Sequence, residues 1–373
     1  MIVSGASGRE AGSRISLGVY AVTHAVVDGT CAAIFFWAVT AGLMGGTSVL
    51  YAALAYNALA FALQPILGLA IDRLDAPRAA GVVGCLVTAA AVPLALSAHL
   101  VLPALVIAGL GNAVFHLGGG IVSLRHSPGK ATAPGIFVAP GAAGLFIGAA
   151  VARAGGPIWL FAPLLVALAA LVGLCGRSRP APSAAVGRSA RSGAGPGVAS
   201  AVLLVLAVVA LRAFAGGAVG FTWKAAPALA IAVVVAVVAG KVLGGIVADR
   251  LGLRVAGVGA LAVSVPLLVL GYGTPLAGLA ALLALNMTMP ITLVAIADPL
   301  PGHEGFAFGL TCLALFVGAV PLLVGIGVGL GPVPMVALTL LAACALMVGL
   351  TWLVGPRPAT IQGAHITTEE GAG

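Results

Sequence analysis

Charged residues are scarce in this sequence: Asp, Glu, Lys and Arg together make up 7% of its 373 residues, whereas 61% are hydrophobic. Because a soluble domain carries about 25% charged residues, this composition excludes a soluble globular protein. The mean hydropathy of +1.21 and the unbroken apolar runs, rich in Ala, Leu and Val, predict α-helices that cross a membrane. With its loops, the chain has room for about 12 such helices of roughly 20 residues each.

Motifs of nucleotide binding and of membrane hydrolysis are also missing. The sequence has no Walker A loop or other nucleotide-binding pattern, which argues against transport driven by ATP. It has no G-x-S-x-G or H-E-x-x-H motif and no pair of intramembrane aspartates, which argues against a membrane hydrolase. We therefore expect no enzymatic activity, no cofactor and no metal site.

Cysteines are few, lie singly in or beside apolar runs, and form no C-x-x-C pair. They are Cys31, Cys85, Cys175, Cys312 and Cys344. An odd and dispersed set indicates small buried apolar residues rather than disulfides or metal ligands. No basic stretch is interleaved with aromatic residues, so nucleic acid is not expected as a partner.

The apolar runs predict twelve membrane spans in an all-α polytopic protein. Their expected ranges are 15–40, 47–70, 79–99, 101–124, 132–152, 157–175, 198–219, 226–248, 255–272, 276–297, 305–328 and 332–354. The first run is too long for the apolar core of a signal peptide, so we expect an uncleaved first span.

One segment, 177–197, is rich in Arg, Ser, Pro, Ala and Gly and is the predicted linker between two halves of similar length. The predicted domains are a six-helix bundle at 1–176, this linker, a second six-helix bundle at 198–356, and a cytoplasmic tail at 357–373. Each bundle would therefore hold six of the twelve spans.

Basic residues predict the orientation of the chain. With the N-terminus inside, thirteen of the 17 Lys and Arg residues fall on the inner side. They are Arg9, Arg14, Arg73, Arg78, Arg125, Lys130, Arg177, Arg179, Arg188, Arg191, Arg250, Arg254 and Arg357. Because Lys and Arg collect in cytoplasmic loops, we expect both termini to be cytoplasmic. We also expect a multi-pass monomer in the lipid bilayer of the plasma membrane.

A short charged motif occurs twice, after the second and after the eighth predicted span. In each copy a Gly precedes an Asp-Arg pair by four residues, and another Arg follows within six residues of the Asp. The residues are Gly68, Asp72, Arg73 and Arg78 in the first copy and Gly245, Asp249, Arg250 and Arg254 in the second. The copies lie almost half the chain apart, which predicts two similar halves.

Twelve spans in two halves, a central linker and this repeated motif resemble the major facilitator superfamily over essentially the whole chain. The first copy departs from that family's pattern, with Asp75 where the family has Gly and Pro77 before the second Arg, whereas the second copy has Gly252 in place. The resemblance implies two pseudo-symmetric six-helix bundles.

The resemblance also implies that the repeated motifs are gates that hold the halves together. Asp72 would lie near the start of the eleventh span, around Glu304–Phe306, and Asp249 near the start of the fifth, around Ala131. A helix N-terminus favours a carboxylate because it presents unpaired N–H groups and partial positive charge. The alternative is a solvated loop that only sets topology.

Two local patterns resemble the fosmidomycin-resistance branch of that superfamily. They are His24-x-x-x-Asp28 in the first span and Gly-x-Gly-x-x-x-Phe-His at 109–116 in the fourth, although Leu117 follows where the branch has Pro. In the fifth span, Gly-x-x-x-Ala-Pro-x-x-Ala-Gly at 135–144 resembles the antiporter motif, with Ala at two Gly positions. The likeness to the antiporter motif implies export.

Asp28 is the one acid well inside an apolar run, and His24 shares its helix face four residues earlier. Ionisable groups in hydrocarbon cost about 2.5–3.5 kcal/mol on insertion scales, so each requires a reason. A carboxylate beside an imidazole can exchange a proton as access alternates. We therefore expect Asp28 and His24 to couple transport to protons; the alternative is a structural hydrogen-bonded pair.

Further polar residues at membrane depth are the candidate substrate contacts. They are Arg212, His116, Asn112, Asn286, Lys241, Asn57 and Gln64. Arg212 is too deep to reach the membrane surface easily, so it would pair with Asp28 or meet an anionic substrate. Lys224, after Trp223, would be an anchor at the membrane interface, with a place in the cavity as the alternative. Lys241 could instead reach the cytoplasmic surface or pair with an acid. The alternative for the other polar side chains is a hydrogen bond between helices; these are His116, Asn57, Gln64 and Asn286. Because buried cations outnumber the buried acid, the sequence favours a small anionic substrate.

Together these patterns predict a secondary active transporter that works by alternating access, exchanges protons and exports a small anionic compound or drug. One alternative is a proton-coupled uptake permease for a small organic anion. The other is a receptor, scaffold or enzyme of similar fold that transports nothing.

Overall fold

The computed structural model describes residues 3–175, 196–327 and 329–354. Within this part of the chain, twelve helices are long and apolar enough to cross a membrane. In chain order, α1 to α12 are Gly12–Thr40, Thr47–Leu74, Pro77–Ala95, Ala98–His126, Thr132–Arg153, Ile158–Cys175, Gly197–Ala218, Pro227–Leu251, Leu253–Gly271, Pro275–Ala297, Glu304–Leu323 and Pro332–Leu353. The predicted class and number of spans are confirmed.

Two helix boundaries differ clearly from the prediction. The helix that contains α1 extends from Val3 to Thr40, so it begins ahead of the apolar run. The eleventh ends at Leu323 instead of 328. Gly325 and Gly327 follow with positive φ angles of 83° and 78°, a conformation that ends helices.

Two spans are irregular near a proline. In α2 a π-helical turn, Ala58–Ala62, precedes Pro65. In α5 the helix is divided at Ala139 into Thr132–Val138 and Pro140–Arg153. Proline has no N–H group for the preceding turn, so nearby carbonyl groups lose helical partners. By contrast, Pro290 of α10 and Pro321 of α11 lie inside single continuous helices.

The two halves have matching internal contacts and matching contacts with each other. In the first half α1 packs against α5 and α3 against α4; in the second, α7 packs against α11 and α9 against α10. Between halves, α2 packs against α11 and α8 against α5. Since α8 and α11 are the second and fifth helices of their half, the two contacts are equivalent.

The close packing of α1 on α5 depends on the small residues of the 135–144 motif and those that follow. A Cβ atom on Gly144 would lie 1.9 Å from the Ala25 carbonyl oxygen, and one on Gly148 would lie 1.9 Å from that of Gly29. Small residues let membrane helices approach to backbone contact.

The predicted linker at 177–197 lies outside the described residues except for its last two positions, and the predicted tail at 357–373 lies wholly outside them. The boundaries of the two predicted domains therefore stay predictions.

Candidate functional site

Four polar side chains from α1 and α4 form one buried cluster around Asp28, which is 7% exposed. One carboxylate oxygen, Oδ2, lies 3.1 Å from His24 Nε2. The other, Oδ1, accepts a hydrogen bond of 2.9 Å from Asn112 Nδ2 and lies 3.6 Å from His116 Nε2. His24 and Asp28 are thus in contact, while their role in proton coupling stays a prediction. Asn112 and His116, expected to bind substrate, lie beside them.

The spacing of these residues explains why they meet. Each helix contributes two side chains four residues apart, which lie on one face. The third wall is Gly141 of α5, where a Cβ atom would lie 2.4 Å from His24 Nε2 and 2.5 Å from Asp28 Oδ2. Gly141 was not predicted from the sequence. Its position directly after Pro140, beside the helix break, could have indicated it.

The hydrogen bonds of the two imidazoles assign their tautomers. His24 Nδ1 lies 2.7 Å from the Phe137 carbonyl oxygen and His116 Nδ1 lies 2.9 Å from that of Asn112. A carbonyl oxygen only accepts, so both Nδ1 atoms carry hydrogen. The two Nε2 atoms, 2.8 Å apart, would both be acceptors in neutral rings. Two acceptors at this distance repel each other, and one proton shared among these atoms and Asp28 would replace the repulsion with hydrogen bonds.

The same three side chains have potential ligand atoms within 4.8 Å of one another. The observed separations of 2.8 and 3.1 Å are those of direct hydrogen bonds. We assign these contacts to hydrogen bonding, and the expected absence of a metal site stays a prediction.

A second polar site lies in the other half, around Arg212 of α7. This residue is 8% exposed, and its Nε and Nη2 atoms have no hydrogen-bond partner. It faces a cavity of about 210 Å³ lined also by Lys224 and Asn286, with the apolar side chains Val233, Val237, Leu282 and Leu285. No acidic residue lines this cavity among the described residues. The pairing of Arg212 with Asp28 is not formed.

Lys224 lies at this cavity, and its expected role as an interfacial anchor stays a prediction. The turn Thr222–Ala225 is held to the protein because Trp223 Nε1 donates a hydrogen bond of 2.7 Å to the Gly271 carbonyl. The indole N–H therefore has a partner within the protein, and the turn places Lys224 at the cavity. Burial lowers the pKa of the Lys224 ammonium.

Lys241 of α8 lies between the halves. Its Nζ donates a hydrogen bond of 3.0 Å to the carbonyl oxygen of Val138, at the break in α5. The neighbouring carbonyl, that of Phe137, is the partner of His24. Two successive carbonyl groups of the broken helix therefore hold one side chain from each half.

Three predicted substrate contacts bond to their own helices. The side-chain amides of Asn57, Gln64 and Asn286 donate to the carbonyl four residues earlier. Asn286 also lines the Arg212 cavity. Neither Asn57 nor Gln64 lines that cavity or hydrogen-bonds to the Asp28 cluster, so the structure does not join them to either site.

At one end of the bundle, the two repeated aspartates bind helix starts in the opposite half, as expected. Asp72 accepts hydrogen bonds from the backbone N–H groups of Gly305 at 2.8 Å and Phe306 at 2.9 Å. Asp249 accepts from those of Ala131 at 2.7 Å and Thr132 at 3.1 Å. These contacts are confirmed; their gating role is not tested by them.

The repeated motif is not a loop, however, because both Asp-Arg pairs belong to the last turns of α2 and α8. The Gly of each copy lies one turn earlier and touches the opposite half. A Cβ atom on Gly68 would lie 2.3 Å from the Gly305 carbonyl oxygen, and one on Gly245 would lie 2.4 Å from that of Ala131. Each Gly therefore allows the two halves to approach closely, and each Asp hydrogen-bonds across the same contact.

Sequence reasoning missed Arg125, which bridges the halves beside Asp72. Its Nη1 lies 2.6 Å from Asp75 Oδ1 and its Nη2 lies 3.0 Å from Glu304 Oε2. Asp75 has a positive φ of 44°, at the position equivalent to Gly252 in the second copy. The Asp that departs from the family pattern thus supplies an ion pair.

Four other arginines were predicted to act at the gates. Within the described ranges, none of them makes a hydrogen bond or ion pair between the halves. They are Arg73, Arg78, Arg250 and Arg254.

No protein-family model and no curated protein matches this chain. Solved structures do match its fold. A variant of the E. coli fucose:proton symporter FucP superposes with a TM-score of 0.62 at 13% identity, over 94% of this chain and 98% of that chain. A bacterial homologue of the iron transporter ferroportin, in an outward-facing state, gives 0.60 at 12% identity, over 91% and 98%. The chain has the major facilitator fold.

The symmetry of the major facilitator fold relates the two polar sites. The Asp28 cluster is built on α1 and α4, and Arg212 and Asn286 lie on α7 and α10, which are the first and fourth helices of their half. Equivalent helices therefore carry an acid and two imidazoles in one half and an unpartnered guanidinium in the other. The likeness to the fosmidomycin-resistance branch stays a prediction.

Proposed function

We propose that this protein is a secondary active transporter that works by alternating access, exchanges protons and exports a small organic anion. The observation that carries the proposal is Arg212, a buried guanidinium with unpaired donors facing a cavity, across from an acid-imidazole cluster in the other half. The protein would act without a cofactor, as a monomer in the plasma membrane with cytoplasmic termini.

The coupling proton would reside in the cluster of Asp28, His24 and His116. Their facing acceptor atoms favour one shared proton, and release of that proton leaves the acceptors facing each other without hydrogen between them. His116 is thereby assigned to the proton site and not to the substrate. FucP is described as a fucose:proton symporter, which supports proton coupling as compatible with this fold.

The substrate anion would bind Arg212. A buried charge without a partner costs several kcal/mol, so an empty cavity is unfavourable and an anion that pairs with the guanidinium is favoured. Arginine matches carboxylate and phosphoryl groups in a bidentate way. The apolar wall formed by Val233, Val237 and two leucines suits a short carbon skeleton.

Alternation would open and close the end of the bundle held by Asp72 and Asp249. Their four hydrogen bonds to helix starts close that end, which the distribution of basic residues assigns to the cytoplasm. The bond from Lys241 to the Val138 carbonyl would transmit change between the proton cluster and the second half. Export rests on the likeness of residues 135–144 to the antiporter motif.

The test is flux in proteoliposomes of purified protein. A panel of small organic anions is loaded inside or outside, with and without a pH gradient, and anion and proton movements are recorded together. We expect anion movement against an opposing proton flux, lost in Arg212→Gln and retained in the control Ser264→Ala, a buried polar change outside both sites.

Other outcomes separate the alternatives. Anion movement in the same direction as protons would indicate an uptake permease. A panel in which no anion and no proton moves would contradict transport and favour a receptor or scaffold.

A further inference from the structure

Lys224 lies at the Arg212 cavity on a segment that the surrounding structure holds in place. Besides the bond from Trp223 to Gly271, the chain before it pairs with the loop after α11: Leu330 N–H donates to the Ala218 carbonyl at 2.7 Å and Gly220 N–H donates to the Leu330 carbonyl at 3.1 Å. The position of Lys224 is therefore set by the fold rather than by a flexible loop.

Aromatic packing supports the same turn. The rings of Phe221 and Trp223 stack with centroids 5.1 Å apart, and Tyr272 packs edge-on against Phe221 at 4.9 Å. The Tyr272 hydroxyl donates to the Leu330 carbonyl. Three aromatic side chains and two backbone bonds thus hold the turn that carries Lys224 beside the cavity.

The charge balance of the cavity is doubly positive. Lys224 Nζ has one long contact, 3.5 Å to the Val219 carbonyl, and the Nε and Nη2 of Arg212 have none. No carboxylate lines the cavity within the described part of the chain. Two like charges facing one small, partly apolar space repel each other, and a ligand with one negative charge would leave one of them uncompensated.

We propose, building on the anion transport proposed above, that the substrate carries a doubly charged head group, with one oxyanion held by Arg212 and the second by Lys224. The head group is a phosphate monoester or a pair of carboxylates, since both present two oxyanions to two cations. The cavity, about 210 Å³, is smaller than the roughly 300–1,000 Å³ of sites for drug-sized ligands, so the carbon skeleton is short.

The experiment measures binding by calorimetry to the purified full chain in lipid nanodiscs, without any gradient. The ligands are matched pairs at a pH where the dianions are fully charged: succinate against its monoamide, and propyl phosphate against butyrate. We expect each dianion to bind at least tenfold more tightly than its monoanion, and Lys224→Gln to remove that preference while changing monoanion affinity less than about threefold. Lys224→Arg should keep the preference.

Two results overturn this inference. If wild-type protein binds monoanions as tightly as dianions, or if Lys224→Gln lowers both affinities equally, Lys224 does not select charge, although anion transport through Arg212 survives. If no anion binds wild-type protein, the anion proposal fails as well. A thermal melt of Lys224→Gln within a few degrees of wild type shows that the comparison concerns folded protein. Tighter binding of succinate or of propyl phosphate assigns the head group.

Discussion

His24 and His116 face each other through their Nε2 atoms at 2.8 Å, because each has committed its Nδ1 hydrogen to a backbone carbonyl. Two facing acceptor nitrogen atoms at this distance favour a proton shared between the rings. Asp28 lies beside both rings and supplies the charge that a protonated imidazole requires. The first predictions concern this site.

Asp28→Asn removes the negative charge that stabilises the shared proton while preserving the shape of the side chain. We expect anion accumulation driven by a pH gradient to fall at least tenfold, whereas exchange of labelled for unlabelled anion without a gradient stays within about threefold. Radiolabel flux in proteoliposomes measures both. Equal loss of the two activities would mean that Asp28 supports the fold or the substrate and not the proton.

Gly141→Ala would push a methyl group against His24 Nε2 and Asp28 Oδ2, at 2.4 and 2.5 Å. Overpacking a buried site costs roughly 1–3 kcal/mol, so we expect a lower melting temperature and loss of gradient-driven transport. The matched control is Gly259→Ala in α9, where an added Cβ meets no atom within 4 Å. If both variants behave alike, the close approach at Gly141 is not important.

Asp72→Asn and Asp249→Asn each weaken two hydrogen bonds to a helix start in the opposite half. Bonds to charged groups contribute about 1.5–3 kcal/mol, so each change should shift the closed–open balance at that end by roughly 10-fold or more. Electron-resonance distances between spin labels at the exposed residues Leu74 and Leu251, with native cysteines replaced, report this balance.

The control for the two aspartate variants is His303→Gln. His303 is an exposed residue at the same end, and its one described side-chain bond is local. Anion affinity at the Arg212 cavity should stay within about threefold in both aspartate variants. If either variant gives the same distance distribution as wild type, the aspartate changed in that variant does not act as a gate.

Arg125→Gln removes the bridge to Asp75 and Glu304. The Asp75 side chain is largely exposed, so that contact should contribute about 1 kcal/mol or less. The contact that joins the halves, with Glu304, is largely shielded from solvent, so most of the effect should come from it. Salt should separate the two contributions, because exposed ion pairs are screened. Raising ionic strength should open wild-type protein slightly and should not open Arg125→Gln further. A variant that opens with salt as much as wild type does would contradict the ion-pair role.

Some features of the gates followed from the sequence because they depend on residues close together in the chain. The repeated Gly and Asp-Arg pattern gave the positions of Asp72 and Asp249, and the resemblance of the whole chain gave their partners at helix starts. Arg125 was not predicted to bridge the halves. Its partners lie 50 and 179 residues away along the chain, and no local pattern indicates such a contact.

The sequence by itself determined the twelve spans, the division into two similar halves and the two residues, His24 and Asp28, that share a helix face. Hydropathy and the four-residue spacing are local properties, so they can be read without a fold. Only the tertiary structure decided that α4 brings His116 to that pair, that no acid of the described residues lines the Arg212 cavity, and that Lys224 lies at this cavity. Those outcomes depend on which face each helix presents to its neighbours, and helix packing fixes that rotation.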